Sequence, residues 1–140
     1  MARDKFHYEV RTALEGEGWI RTTSTNHYIM VNVKRCQKAI LGILEDYATV
    51  RYANINAENK LIADTVNHRY QVVTIGWDKN KFVHDCPMHI DIIDGKVWIQ
   101  RNMTEIDIAA ILTEQGIAKS DIVLGFLTPK MREYGDYAVA

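Results

Sequence analysis

Hydrophobic positions in this chain change their spacing several times, and each change predicts a new element. Between residues 3 and 15, Phe6, Val10 and Leu14 recur every four residues with Ala13 beside them, which predicts a helix stopped by Gly16 and Gly18. WIRTTST (19–25) is rich in β-branched residues and reads as a strand, whereas NHYIMVN (26–32) fits either state. Over 33–47 the helical period returns. Val33, Cys36, Ile40, Leu44 and Tyr47 line one stripe, with Gln37, Lys38 and Glu45 off it. Gly42 lies inside this helix and weakens it by about 1 kcal/mol relative to alanine. Residues 49–60 are polar and read as loop, with room for a short strand at Val50–Tyr52.

From residue 61 the period drops to two. LIADTV (61–66), RYQVVTIGW (69–77), KFVHDCPMHIDII (81–93) and KVWIQ (96–100) read as strands, with turns at NHR (67–69), DKNK (78–81) and Asp94-Gly95. Asp94-Gly95 is the strongest hairpin signal, because a type I′ turn needs positive φ at both central residues. A two-residue turn there pairs Ile93 with Lys96, Ile92 with Val97, Asp91 with Trp98, Ile90 with Ile99 and His89 with Gln100. Side chains alternate along a strand, so Met88, Ile90, Ile92, Val97 and Ile99 share a face. Carrying the alternation back through DKNK adds Val73, Ile75, Trp77, Phe82 and Cys86 to this expected core face. The opposite face then holds Tyr70, Thr74, Asp85, His89, Asp91, Trp98 and Gln100.

Helical spacing resumes near the end. Thr104 is placed to cap a helix over 105–115, with Asp107 completing an imperfect capping box and Gly116 ending the helix. IVLGF (122–126) reads as a buried strand, and Thr128-Pro129 opens a last short helix. The expected fold class is α+β: an antiparallel sheet of β-hairpins with helices packed on one face.

Composition narrows the function more than the fold. The chain has 140 residues, 47% hydrophobic and 25% charged, which fits a globular domain with a real core. A net charge of −1 gives no general attraction to nucleic acid or an anionic membrane. The sequence has no apolar run long enough to span a bilayer, and MARDKFHYEV lacks the apolar centre of a secretory signal. Two cysteines in unlike contexts, Cys36 and Cys86, suggest a reduced, cytoplasmic protein with both thiols buried.

Chemistry-bearing residues concentrate in HIDIIDGKVWIQRN (89–102). His89 and Asp91 are neighbours on one face and within hydrogen-bonding reach, but no serine or cysteine nucleophile stands beside them, so no catalytic residue is expected. A tryptophan among polar groups is a common interface anchor, and this face reads either as a contact surface or as a solvated sheet face. His84, Cys86 and His89 are zinc-ligand types. Alternation sends His84 and Cys86 to one face and His89 to the other, and only a bulge at Pro87 would gather them, so no metal or cofactor is expected. His84 is read instead as a hydrogen-bonded histidine at the core edge and Cys86 as a small apolar filler. Gly16-Glu17-Gly18 lacks the strand and helix of a phosphate loop. Lys34, Arg35 and Lys38 form a small basic cluster without the pattern of a DNA-reading helix.

From Ala39 onward the chain resembles the XisI family, the fdxN element excision controlling factors. The blocks that carry the resemblance are HRYQVVTIGWD (68–78), HIDIIDGKVWIQRN (89–102), TEIDIAAILTEQGIAKSDIVLGF (104–126) and MREYGDYAVA (131–140). The chain departs from the family pattern near Ile106-Asp107, where a glycine is usual, at Ala118, where a proline is usual, and at Leu127-Thr128-Pro129 in place of His-Pro-Pro. Separately, ARDKFHYEVRTALEGEGW (2–19) resembles the start of XisH, the usual partner of XisI, and XisH-like proteins are similar to the PD-(D/E)xK nucleases. The acidic metal-binding core of such a nuclease has no counterpart here. These resemblances imply an XisH-like remnant over 1–30 and an XisI-like domain over 31–140. They also imply a non-enzymatic accessory factor that controls excision of a DNA element by a site-specific recombinase, as in heterocyst DNA rearrangement. Its expected partner is an XisH-like protein, with DNA contacted indirectly. Partner contact is expected through His89, Asp91, Trp98 and Gln100, extended by Arg132, Tyr134 and Tyr137 of the C-terminal segment. A homodimer through a sheet edge, a nuclease-associated regulator and a direct DNA-binding module are the alternatives.

Overall fold

A computed structural model of the chain describes residues 24–140. The helix expected over 3–15 lies outside these residues, as does most of the strand expected over 19–25. Val33–Ala140 forms one compact unit; of the preceding unit, residues 24–32 are described and are helical.

The first element among the described residues, α1 (Ser24–Ala48), is a 25-residue helix, so Ser24 and Thr25 of the expected strand are helical and the ambiguous stretch after them is too. Cys36, Ala39, Ile40, Ile43 and Leu44 of α1 are buried in the core, at the i, i+3, i+4, i+7, i+8 spacing of one helix face. The helix ends where Thr49 N–H and its hydroxyl both donate to Asp46 O and Val50 N–H donates to Tyr47 O.

Five strands follow in spatial order β1-β2-β3-β4-β5: β1 (Asn56–Asp64), β2 (Arg69–Asp78), β3 (Lys81–Ile93), β4 (Lys96–Asn102) and β5 (Ile122–Leu124). The first four are antiparallel neighbours, while β5 runs parallel to β4. The polar segment read as loop thus contains the first five residues of β1. Arg51 makes an isolated bridge to Glu58, where a short strand was allowed. The turn at Asp94-Gly95 has φ of 50° and 78°, as a type I′ turn requires.

Two register shifts decide which side chains face the core. Between β2 and β3, Val72 pairs with Met88 but Thr74 pairs with Asp85, so Cys86 and Pro87 together oppose Val73. This bulge reverses the phase of the alternation, which overturns part of the expected core face. Tyr70, Val72, Met88, Ile90, Ile92, Val97 and Ile99 are buried with α1. Trp77 and Phe82 are instead 49% and 52% exposed on the other face. Tyr70, expected on the open face, is fully buried, and its hydroxyl donates to Gln37 Oε1 on α1 at 3.3 Å. The second shift lies between β3 and β4: Ile90 pairs with Ile99 but His89 pairs with Arg101, leaving Gln100 as the extra residue. The expected pairing of His89 with Gln100 is therefore corrected by one position, while the four pairs nearer the turn hold.

On the covered face α2 (Ile108–Glu114) adds Ile108, Ala109 and Leu112 to the core, joined by Ile117 and Ile122. Its N-cap is Asp107, whose carboxylate accepts from Ala110 N–H at 3.0 Å, and not Thr104. Thr104 is held back in a local turn. Its hydroxyl donates to Asn102 Oδ1 at 2.7 Å and accepts from Ile106 N–H. A 3₁₀ turn at Lys119–Asp121 leads into β5, and α3 (Pro129–Arg132) has Thr128 as N-cap and proline in its first turn. Ala138 then bridges to Val123 along β5.

Asn59 is a buried polar residue that alternation alone does not mark. Its Oδ1 accepts from Thr74 Oγ1 at 2.6 Å and Tyr52 Oη at 3.1 Å, and its amide donates to Tyr47 O and Val50 O at 3.4 Å each. One side chain on β1 thereby ties down Tyr47 O in the last turn of α1 and Val50 O just beyond the helix.

Candidate functional site on the open face of the sheet

The bulge at Cys86–Pro87 and the extra residue at Gln100 build the candidate site. After the first, His89 and Asp91 project from β3 away from the helices; the second leaves Gln100 free to turn toward them. His89 Nε2 lies 2.9 Å from Asp91 Oδ1, and Gln100 Nε2 donates to Asp91 Oδ2 at 3.3 Å. Asp91 is only 6% exposed although neither α1 nor α2 lies on its face, because these side chains and its β2 neighbour surround it. That neighbour is Arg69, paired with Asp91 in register and placing its Nε 3.9 Å from Oδ1. Arg69 was missed from the sequence. Its signal was the β2–β3 register, legible only with the bulge counted.

Trp98 stands beside Asp91 on β4. The Arg132 guanidinium lies 5.0 Å from the centre of the Trp98 ring, a cation–π distance. Arg132 is positioned by donating to Leu124 O at 3.1 Å and Val139 O at 2.9 Å, so the C-terminal turn carries it to the tryptophan. Gly125 closes over the same spot. A Cβ there would come within 2.5 Å of Gln100 Oε1 and 3.2 Å of Trp98 Cε3, so the absence of a side chain lets the chain pass. Five expected residues therefore come together: His89, Asp91, Gln100, Trp98 and Arg132. The two tyrosines do not join them. Tyr134 is 75% exposed, and Tyr137 is half-buried against the core, lining a shallow cavity with Ile99, Ile108, Leu124 and Phe126.

Chemically the cluster is a carboxylate with one hydrogen-bond partner on each oxygen. Both Asp91 oxygens are engaged, and among the described residues neither His89 nor Asp91 hydrogen-bonds a hydroxyl or thiol. The thiols are elsewhere and remain protonated. Burial, reinforced by the Asp121 carboxylate, pushes Cys36 up to about 11, and burial raises Cys86. Cys86 is half-buried rather than a core filler, with Sγ 3.2 Å from Met88 O. His84 is exposed on the open face, its ring centroid 6.5 Å from that of Phe82, and is not the core-edge histidine expected. The bulge at Pro87 exists, yet among the described residues no group of three or more His, Cys, Asp or Glu is arranged to hold a metal ion. No helix among them is long and apolar enough to cross a membrane.

Comparison with known proteins places this geometry. The model of the XisI protein family matches residues 30–139, and the chain belongs to that family. The crystal structure of a XisI-like protein from Anabaena variabilis ATCC 29413 superposes with a TM-score of 0.72 at 36% identity, covering 77% of this chain and 99% of that one. The fdxN element excision controlling factor XisI from the same organism superposes with a TM-score of 0.69 at 27% identity, covering 78% of this chain and 99% of that one. No curated protein matches. The family match begins beyond residues 2–19, so their resemblance to XisH lies outside both the match and the described residues.

Proposed function

We propose that this chain controls the excision of a DNA element as a non-catalytic accessory factor, by protein–protein contact with an XisH-like partner that bears on a site-specific recombinase. The observation that carries this reading is family membership joined to the partners Asp91 already holds on both of its oxygens. A carboxylate already bound by a histidine and an amide, with an arginine beside it, is organised to hold a surface in shape rather than to take a proton from a substrate. Trp98 under Arg132 supplies a flat, partly desolvated anchor next to that polar cluster, the pairing of residue types that concentrates binding energy in interfaces.

Native mass spectrometry of the full chain mixed with an XisH-like protein tests the reading. A defined complex is expected, and Trp98→Ala should weaken it by about tenfold or more, a cost of at least about 1.4 kcal/mol, while leaving the circular dichroism spectrum unchanged. A folded Trp98→Ala chain that binds as the parent does removes this face from the interface. Metal-dependent nicking of DNA lost on changing His89 or Asp91 would overturn the accessory role itself.

A further inference from the structure

The two edges of the sheet are finished differently. At one edge β5 has three residues, and Ala138 pairs with Val123. At the other, β1 has nine residues, runs against β2 without a register shift, and contains neither proline nor glycine. The Arg51–Glu58 bridge occupies the first part of its outer side. Among the described residues, no strand or bridge meets the outer side from Lys60 to Asp64. Such an edge presents unpaired N–H and C=O groups to any extended chain of the right pattern.

The pattern on this stretch, Lys60-Leu61-Ile62-Ala63-Asp64, is complementary to itself. Antiparallel pairing about a two-fold axis normal to the sheet keeps like faces together, so the register must be centred on a residue. Centred on Leu61, it sets Glu58 against Asp64 of the second copy, which are like charges, at the place Arg51 already occupies. Centred on Ala63, it sets Ile62 against Asp64 and runs Lys60 into the turn at Val66. Centred on Ile62, it sets Lys60 against Asp64 twice, Leu61 against Ala63 twice, and Ile62 against its own copy.

We propose that two copies of this chain pair antiparallel through β1 in the register centred on Ile62, joining their sheets edge to edge. Ile62 is 50% exposed in the single chain and becomes the centre of the joint. Lysine on a strand edge ordinarily discourages pairing; here the register gives it a carboxylate to face, and opposite charges across a strand pair are favourable. Lys60 forms no ion pair among the described residues. Asp64 is held at the end of β1 by accepting from Val66 N–H, Asn67 N–H and the Asn67 amide, which also keep its carboxyl below the usual range and therefore ionised.

Analytical ultracentrifugation of the full chain, with cysteine cross-linking, tests the pairing and its register separately. The parent chain should sediment as a dimer. Lys60→Glu, which sets carboxylates against each other at both ends of the joint, should shift it to monomer with its circular dichroism unchanged. Ile62→Cys should give a disulfide-linked dimer on mild oxidation, because opposed Cα atoms in such pairs lie about 4.5–5.5 Å apart. Lys60→Cys should cross-link no more than the parent. A monomeric parent chain, a dimer indifferent to Lys60→Glu, or cross-linking at position 60 in preference to 62 would each overturn the proposal.

Discussion

The two faces of the sheet carry similar numbers of large side chains and use them in opposite ways. On the covered face Tyr70, Val72, Met88, Ile90, Val97 and Ile99 meet two helices and are essentially closed to solvent. On the open face Ile62, Trp77 and Phe82 are each about half exposed, and the most buried charged group in the described chain, Asp91, is shielded by neighbouring strands rather than by a helix. One face therefore supplies stability and the other supplies shape. Apolar alternation does not tell them apart, because both contain aromatic and β-branched residues.

That contrast can be broken most directly by shortening one residue on each face. Ile90→Ala should cost about 2–5 kcal/mol, the usual range for removing a buried branched side chain. Phe82→Ala should cost about 1 kcal/mol, mostly its edge-on packing with Trp77 at 5.1 Å. Chemical denaturation of the two variants measures the gap, and equal losses would mean that the open face is structural after all. The polar exception on the covered side comes next. Asn59→Ala deprives Thr74 and Tyr52 of their acceptor and should cost about 1–3 kcal/mol by the same measurement.

A pH dependence sharpens the comparison further. Burial holds the His68 imidazole below its usual 6.5, and its Nδ1 lies 2.8 Å from the buried Tyr70 hydroxyl. The unfolded chain takes up this proton first, so stability is full above 6.5 and falls as pH drops through the window between that value and the lower folded one. Denaturation between about pH 7 and about pH 5 should show the decline, and His68→Asn, an exchange that suits the positive φ of 58°, should flatten that part of it. The smallest effect lies on the solvent side of α1. A Cβ at Gly42 would meet nothing within 4 Å, so Gly42→Ala should raise stability by about 0.5–1 kcal/mol, read as a higher denaturation midpoint.

Much of this architecture was legible in the sequence where local rules act without interference. Asp94-Gly95 fixed a turn and four cross-strand pairs, Thr128-Pro129 opened a helix as expected, and the stripe from Cys36 to Leu44 marked the face of α1. Failures fell where a longer-range contact overrode a local pattern. Asn56–Lys60 looks like loop because an edge strand needs little apolar surface, and its buried member is an asparagine that serves the helix end. Thr104 looks like a cap, but Asn102 takes its hydroxyl first. The site was half legible. His89, Asp91, Trp98 and Gln100 could be placed on one face by counting back from the turn, whereas Arg69 and the burial of Tyr70 depend on a bulge that alternation cannot announce.

The bulge at Cys86–Pro87 also makes β3 a strand with two phases. Before it, even-numbered residues such as Phe82 and His84 look outward; after it, even-numbered residues such as Met88 and Ile90 look inward. A single deletion at this joint would leave the hairpin turn intact and still offer an unbroken alternating strand. Because Cys86 and Pro87 together oppose only Val73, removing one of them would keep Phe82 and His84 outward and Met88 and Ile90 inward, each half in its present register with β2. The extra residue is thus dispensable to the division between buried and exposed side chains, and what it adds is a local bend in β3 just ahead of His89 and Asp91.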